Sequence, residues 1–279
     1  MWSTACIPRA EGGVRVRKVI DGTALGYSIE GRGPAIVLLH GFPLNRTMWE
    51  PQVAALRDRF SVITPDLIGF GESAPPSAPD AMSMDTFAGA VVRLLDALGH
   101  DRVILGGFSM GGYVLFRVVA QAAARIGALV IADSRAGADS DEARQRRLAT
   151  IARIREQGPD GFLGEFAAGL VGATTKATRP GVVESVRRLV GTPPVSSLAG
   201  ALSAMATRPD SRPLLAKIAV PTLVLVGEED TLTPPDAAKE MASGIRGARL
   251  VTIPAAGHLS NVEAPQVFNA SLLDFVDRL

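Results

Sequence analysis

Apolar and polar positions along this chain follow two periods, and the pattern they make changes partway. Residues 14–28 read as a β-hairpin whose two-residue turn is Asp21-Gly22, a pair that tolerates positive φ at both central positions. Residues 35–39 (AIVLL) are an unbroken apolar run, as expected of a strand buried on both faces. Shorter runs at 61–64, 103–105 and 128–132 read the same way, and Pro65 stops the first of these. Helical stretches lie between them, at 47–56, 84–98 and 110–124. In the second, Phe87, Val91, Leu94, Leu95 and Leu98 recur at helical spacing and Gly99 terminates the pattern.

Such alternation predicts an α/β fold, a mostly parallel, doubly wound sheet with helices on both faces. The alternation lapses over residues 137–208. Four helical stretches follow one another there, at 140–157, 160–170, 181–190 and 196–206, punctuated by Gly158-Pro159, Arg179-Pro180 and Pro193-Pro194. Strands return at 222–226 and 250–253, with helices at 236–243 and 264–279. The expectation is an eight-stranded core built from 1–136 and 209–279, interrupted by a helical insert at 137–208.

Composition narrows the function. The 279 residues are 47% hydrophobic, enough for a large core, and the net charge of +1 offers no pull toward nucleic acid or an anionic membrane. No apolar run approaches the roughly 20 residues of a membrane span, and residues 1–18 lack the apolar core of a secretory signal. The one cysteine, Cys6, can form no internal disulfide and has no His or acid patterned around it. These features describe a soluble, cytoplasmic, globular protein, with neither nucleic acid nor membrane as partner. Three histidines, His40, His100 and His258, cannot build a His/Cys metal cluster at any usual spacing. No phosphate-cradling Gly-x-x-x-x-Gly-Lys loop occurs either, so neither metal nor cofactor is expected.

The chemistry concentrates at strand ends. Gly107-Phe108-Ser109-Met110-Gly111 lies between a strand and a helix, where a tight turn presents Ser109 at its apex as a nucleophile. Acyl transfer creates an oxyanion, which needs one backbone N–H after the nucleophile and one from a loop after a neighbouring strand. Met110 and Phe42, in His40-Gly41-Phe42-Pro43, fit those places, with His40 bracing the loop. His258, in a loop after the strand at 250–253, is placed to act as general base. His100 enters the nucleophile strand from the opposite edge of the sheet and is set aside. Asp230, after the strand at 222–226, is the favoured acid. Asp133, after the strand at 128–132, is the alternative, unless it caps the helical insert. Glu228 and Glu229 are expected to face solvent or bind loop backbone.

Together these residues resemble the α/β-hydrolase superfamily over nearly the whole chain, with the order Ser, Asp, His that this class shows. Asp66-Leu67-Ile68-Gly69-Phe70-Gly71-Glu72-Ser73 is similar to a segment that follows the fourth strand in many members. The segments around Phe42, Ser109 and His258 resemble small microbial carboxylesterases, enol-lactonases and cofactor-free perhydrolases. The resemblance implies hydrolysis of a carboxylic ester or lactone through an acyl-enzyme, with a cap over the site. Carbon–carbon bond hydrolysis, acyl transfer, perhydrolysis, or a non-catalytic ligand receptor are the alternatives on this scaffold. Ser109 in place of an Asp nucleophile argues against dehalogenases and epoxide hydrolases. Apolar cap residues such as Phe162, Leu163, Phe166, Leu170 and Leu198 are candidates to wall the substrate pocket.

Overall fold

The Asp21-Gly22 pair turns as its composition dictates, with φ of 46° and 76°, and joins β1 (Val14–Ile20) to β2 (Thr23–Glu30) as an antiparallel hairpin. It opens the computed structural model of the protein, which describes residues 14–279; the reading of Cys6 lies outside the described residues. The remaining strands are β3 (Ala35–Leu39), β4 (Ser61–Pro65), β5 (Val103–Phe108), β6 (Ile126–Ala132), β7 (Thr222–Gly227) and β8 (Arg249–Ile253). They form one eight-stranded sheet in the order β1-β2-β4-β3-β5-β6-β7-β8, with β2 antiparallel to β4 and every later pairing parallel. Strands β3 to β7 are buried along their whole length, which is why their sequences read as continuous apolar runs.

Helices fill the connections. α1 (Glu50–Leu56) joins β3 to β4, α2 (Met84–Leu98) joins β4 to β5, and α3 (Met110–Ala122) joins β5 to β6. α2 begins at a capping box made by Ser83 and Thr86 and ends at Gly99, which takes the left-handed conformation at φ 70°. Between β6 and β7 the chain runs through α4 (Asp141–Gln157), α5 (Asp160–Gly169), α6 (Ala173–Thr178), α7 (Pro180–Val190), α8 (Val195–Ala206) and α9 (Arg212–Leu215). Ser140 caps α4, its hydroxyl accepting from the Ala143 N–H. α8 is made almost wholly of small and apolar residues and is buried nearly throughout. α10 (Pro235–Gly244) links β7 to β8, and α11 (Ser260–Glu263) and α12 (Pro265–Val276) complete the chain. Among the described residues no single helix is long and apolar enough to cross a membrane.

One strand is longer than its sequence suggests. β5 continues past Leu105 through Gly106-Gly107-Phe108, a stretch of low intrinsic strand preference. Pairing on both sides overrides that preference, with Gly107 opposite Leu39 of β3 and Ile131 of β6.

The segment after β4 is held by a buried charge pair. Asp66 accepts from the Arg46 and Glu72 backbone N–H groups, each at 2.8 Å, and forms an ion pair with the Arg46 guanidinium. Without Asp66 the buried Arg46 would keep only its ion pair with the half-exposed Glu72 carboxylate, at 2.9 Å, and two backbone N–H groups would lose their acceptor. Asp66→Ala is therefore expected to cost roughly 3–5 kcal/mol of stability. Urea unfolding should show a lower midpoint with little change in slope, and a loss below about 1 kcal/mol would rule out this account.

Candidate active site

Ser109 stands between β5 and α3 at φ 49°, ψ −113°, a strained geometry for a residue with a side chain. Two close approaches make it possible. A Cβ on Gly107 would strike the Gly111 carbonyl, and a Cβ on Gly111 would strike the Leu39 carbonyl of β3. The strained residue is fixed from β6: its N–H donates to the Ala132 carbonyl at 3.0 Å, and its own carbonyl accepts from Ser134 Oγ at 2.8 Å.

His258 follows β8 on a loop that is tied down from several sides. The Leu259 N–H donates to the Leu170 carbonyl at 3.0 Å. The buried Glu263 carboxylate accepts from the N–H groups of Gly257 and Gly172, both at 2.9 Å, stitching this loop to the connection after α5. The imidazole lies with Nε2 2.9 Å from Ser109 Oγ and Nδ1 2.8 Å from Asp230 Oδ2. Asp230, on the turn after β7, accepts from the N–H groups of Leu232 and Thr233 at 2.8 and 2.9 Å and from Thr233 Oγ1 at 2.5 Å. An ionised carboxylate only accepts, so Nδ1 carries the ring proton and Nε2 presents its lone pair to Ser109.

Asp230 and Asp133 divide their charge. Burial pushes the Asp230 carboxyl up, but His258 and the Thr233 hydrogen bonds outweigh it and hold the group below the usual carboxylate range. Asp133, at φ 45° and without solvent contact, is raised well above that range, first by burial and then by the charge of Asp230. Its Oδ1 accepts from the Gly227 N–H at 2.8 Å, and its Oδ2 lies 2.5 Å from Ser260 Oγ. Asp133 thus neither reaches His258 nor caps the helical insert; it clamps the end of β7 to the start of α11.

The other residues singled out from the sequence fall as follows. Phe42 lies in the loop after β3, which is closed by the Leu44 N–H donating to the Gly41 carbonyl at 2.9 Å. Met110 is the first residue of α3, where an N–H has no partner within its own helix. Buried His40 braces this loop, with Nδ1 2.9 Å from the Gly41 carbonyl and Nε2 accepting from the Leu67 N–H at 2.8 Å. His100 precedes β5, at the end away from Ser109. Glu228 accepts from the Ala255 N–H, and Glu229 from the N–H and hydroxyl of Thr174. Among the described residues no three His, Cys, Asp or Glu side chains converge as a metal site.

Ser109 and His258 open on a cleft of about 270 Å³. One wall is aromatic: Phe42 and Phe166 meet edge-to-face with centroids 5.5 Å apart, and Phe162 packs beside them. Leu163, Leu170 and Leu198 are buried in the core and do not line the cleft. Arg135, Arg146 and Arg147 also line the cleft. Sequence reading passed over these arginines and Thr233. The spacing Asp230-x-x-Thr233, an acid whose own turn can supply a hydroxyl, was the available signal for the latter.

Comparison with known proteins gives a consistent picture. The sequence profile of the alpha/beta hydrolase fold family matches residues 34–265. A thermophilic esterase from Thermogutta terrifontis, solved with malate bound, is 37% identical, and 96% of this chain matches 98% of that one at a TM-score of 0.89. The enol-lactonase of Burkholderia xenovorans LB400 is 30% identical at a TM-score of 0.86, over 94% of this chain and 100% of that one. The 3-oxoadipate enol-lactonase 2 of Acinetobacter baylyi is 29% identical over 258 residues, 88% of this chain and 90% of that one.

The raised Asp133 carboxyl has a signature in stability. A carboxyl whose folded pKa exceeds its unfolded one, about 3.9, contributes fully below the unfolded value and loses that contribution as pH rises through the folded value. Relative to Asp133→Asn, the parent protein should therefore lose stability as pH rises from about 4 upward. Urea unfolding of both proteins across a pH series reads this directly, and a difference independent of pH would mean that Asp133 ionises like an exposed carboxyl.

Proposed function

The chain belongs to the alpha/beta hydrolase fold family, and on that premise we propose that it is a serine hydrolase of carboxylic esters or lactones working through a Ser109-His258-Asp230 triad. The observation that carries this reading is the continuous hydrogen-bonded chain from Ser109 Oγ through both imidazole nitrogens to Asp230. Esterase and enol-lactonase relatives support the same substrate class. In this reading residues 137–208 are a cap over a core of 1–136 and 209–279.

Ser109 Oγ attacks the carbonyl carbon while its proton passes to His258 Nε2. The N–H groups of Phe42 and Met110 receive the oxyanion; a single such donor is worth about 10²–10³ in kcat. As the tetrahedral intermediate collapses, His258 Nε2 returns the proton to the departing alkoxide, or to the ring oxygen of a lactone. An acyl group then remains on Ser109. Water, deprotonated by His258, attacks this ester, and the acid is released with Ser109 restored. Asp230, held ionised, keeps the Nδ1–H tautomer throughout and balances the transient imidazolium.

Ser109→Ala should remove turnover of simple aryl esters without loss of fold, and a phosphonate or sulfonyl fluoride should label Ser109 in the parent. Retention of most activity in the alanine variant would sink the assignment. Asp230→Asn should lower kcat on the order of 10⁴-fold by favouring the wrong tautomer, and Asp133→Asn far less; the reverse order would move the acid to β6.

The aromatic wall should set chain-length preference. Phe166→Ala ought to shift the profile over 4-nitrophenyl esters of increasing acyl length, with each methylene worth about 1–3 kcal/mol of discrimination. An unchanged profile would leave Phe166 a packing residue.

A further inference from the structure

We propose that the cleft is built for esters or lactones that carry a carboxylate, and that Arg135 and Arg146 hold that carboxylate while Ser109 attacks the scissile carbonyl. This inference rests on the ester–lactone reading above and names its substrate class.

Arg135 lies two residues beyond Asp133, on the segment leaving β6, and lines the same cleft as Ser109 and His258. A guanidinium has five N–H donors. The protein hydrogen bond that this one makes is from Nη2 to the Leu232 carbonyl, which anchors it on the turn that carries Asp230. Its Nε is buried without an acceptor, and it has no ion pair among the described residues. The result is a half-buried cation, immobilised beside the nucleophile, whose charge the protein does not neutralise.

Arg146 completes the pattern from α4. Of the five arginines on α4, four sit within 4.0 Å of a carboxylate: Arg144 of Asp141, Arg147 of Asp139, Arg153 of Glu165 and Arg155 of Asp80. Arg146 is the exception among the described residues, and it also lines the cleft. The exposed Glu142, one turn back on α4, feels its charge but lies beyond ion-pair distance.

The surroundings add to the imbalance. Arg147 shares Asp139 with buried Arg208, whose guanidinium stacks 4.2 Å over the Tyr113 ring. Burial pushes Asp139 up, but the two arginines outweigh it and keep the group below its usual range, hence ionised. Three guanidinium groups therefore line the cleft against one carboxylate, Asp139, in a chain whose net charge is only +1. Phe42, Phe162 and Phe166 line the same cleft. An amphipathic molecule fits this division, with its apolar part on the phenylalanines and its anionic end on the guanidinium forks. Arginine is suited to the second task because its planar donors match a carboxylate two at a time.

The test compares esters matched in everything but charge. One arm uses mono-4-nitrophenyl esters of succinic, glutaric and adipic acids against the corresponding 4-nitrophenyl methyl diesters, placing the carboxylate on the acyl side. The other uses the butyrate ester of 3-hydroxybenzoate against that of its methyl ester, placing it on the alcohol side. In at least one arm kcat/KM should favour the anionic member by about tenfold or more, and the preference should shrink as salt is raised. Arg135→Gln and Arg146→Gln should each lower the anionic-to-neutral ratio about fivefold or more, whatever happens to the absolute rates. Arg146 projects from an exposed helix face, so its replacement tests the charge even if loss of Arg135 disturbs the Asp230 turn. Neutral esters hydrolysed as well as or better than anionic ones in both arms would overturn the inference and leave the ester reading standing. So would a ratio that survives both arginine substitutions. A folded protein that turns over no ester of either kind would instead bring down the ester reading, and this inference with it.

Discussion

Ser109 keeps its positive φ only because three stretches of backbone crowd together around it: the end of β5, the start of α3 and the end of β3. That crowding requires bare Cα atoms at Gly107 and Gly111, and it fixes what else can reach the serine. β3 is hydrogen-bonded to β5, so the loop bearing Phe42 is delivered to one side of Ser109. β6 is hydrogen-bonded to the other side, so Ser134 and Asp133 arrive there. Parallel register then brings the ends of β7 and β8 to the same edge of the sheet, with the Asp230 turn and the His258 loop beyond them. The site is a consequence of where parallel strands end.

Two carboxyls share that edge, and their environments push them apart. Asp230 has an imidazole, a hydroxyl and two backbone N–H groups to stabilise its charge. Asp133 has one backbone N–H and one hydroxyl, no solvent, and the charge of Asp230 nearby. Ionisation of one disfavours ionisation of the other, so a single negative charge sits where the histidine needs it. Asp133 holds β7 to α11 and thereby helps set the distance between the Asp230 turn and the His258 loop.

The helices between β6 and β7 give the cleft its two characters. α5 brings Phe162 and Phe166 against Phe42, beside the loop after β3. α4 brings Arg146 and Arg147 to the cleft, the second paired with Asp139. The same Glu263 carboxylate that orders the histidine loop also binds the backbone after α5, so insert and sheet edge are mechanically joined at the site.

Much of this was legible in the chain itself. Buried parallel strands are continuous apolar runs, helices carry a 3.6-residue stripe, and Asp-Gly marks a hairpin turn, because each signal arises from local sterics and burial. Gly-x-Ser-x-Gly after a strand is equally local, and it located Ser109; Asp230 and His258 followed from their places after later strands. Other features had no local signal. β5 runs through Gly106 and Gly107 because flanking strands pair with it, against its own preference. Asp133 and Asp230 each follow a strand and look alike in sequence. Which of them meets His258 depends on how turns from β7 and β8 come together, over a separation of 28 residues for one contact and 94 for the Gly227 clamp on the other. Nothing in the sequence separates the arginines of α4 from one another, since only packing against carboxylates reveals which of them is left without one. Periodicity and turn chemistry are written in neighbouring residues and so were fixed by the sequence alone. Charge balance at a site depends on groups far apart in the chain, and only the tertiary structure decided it.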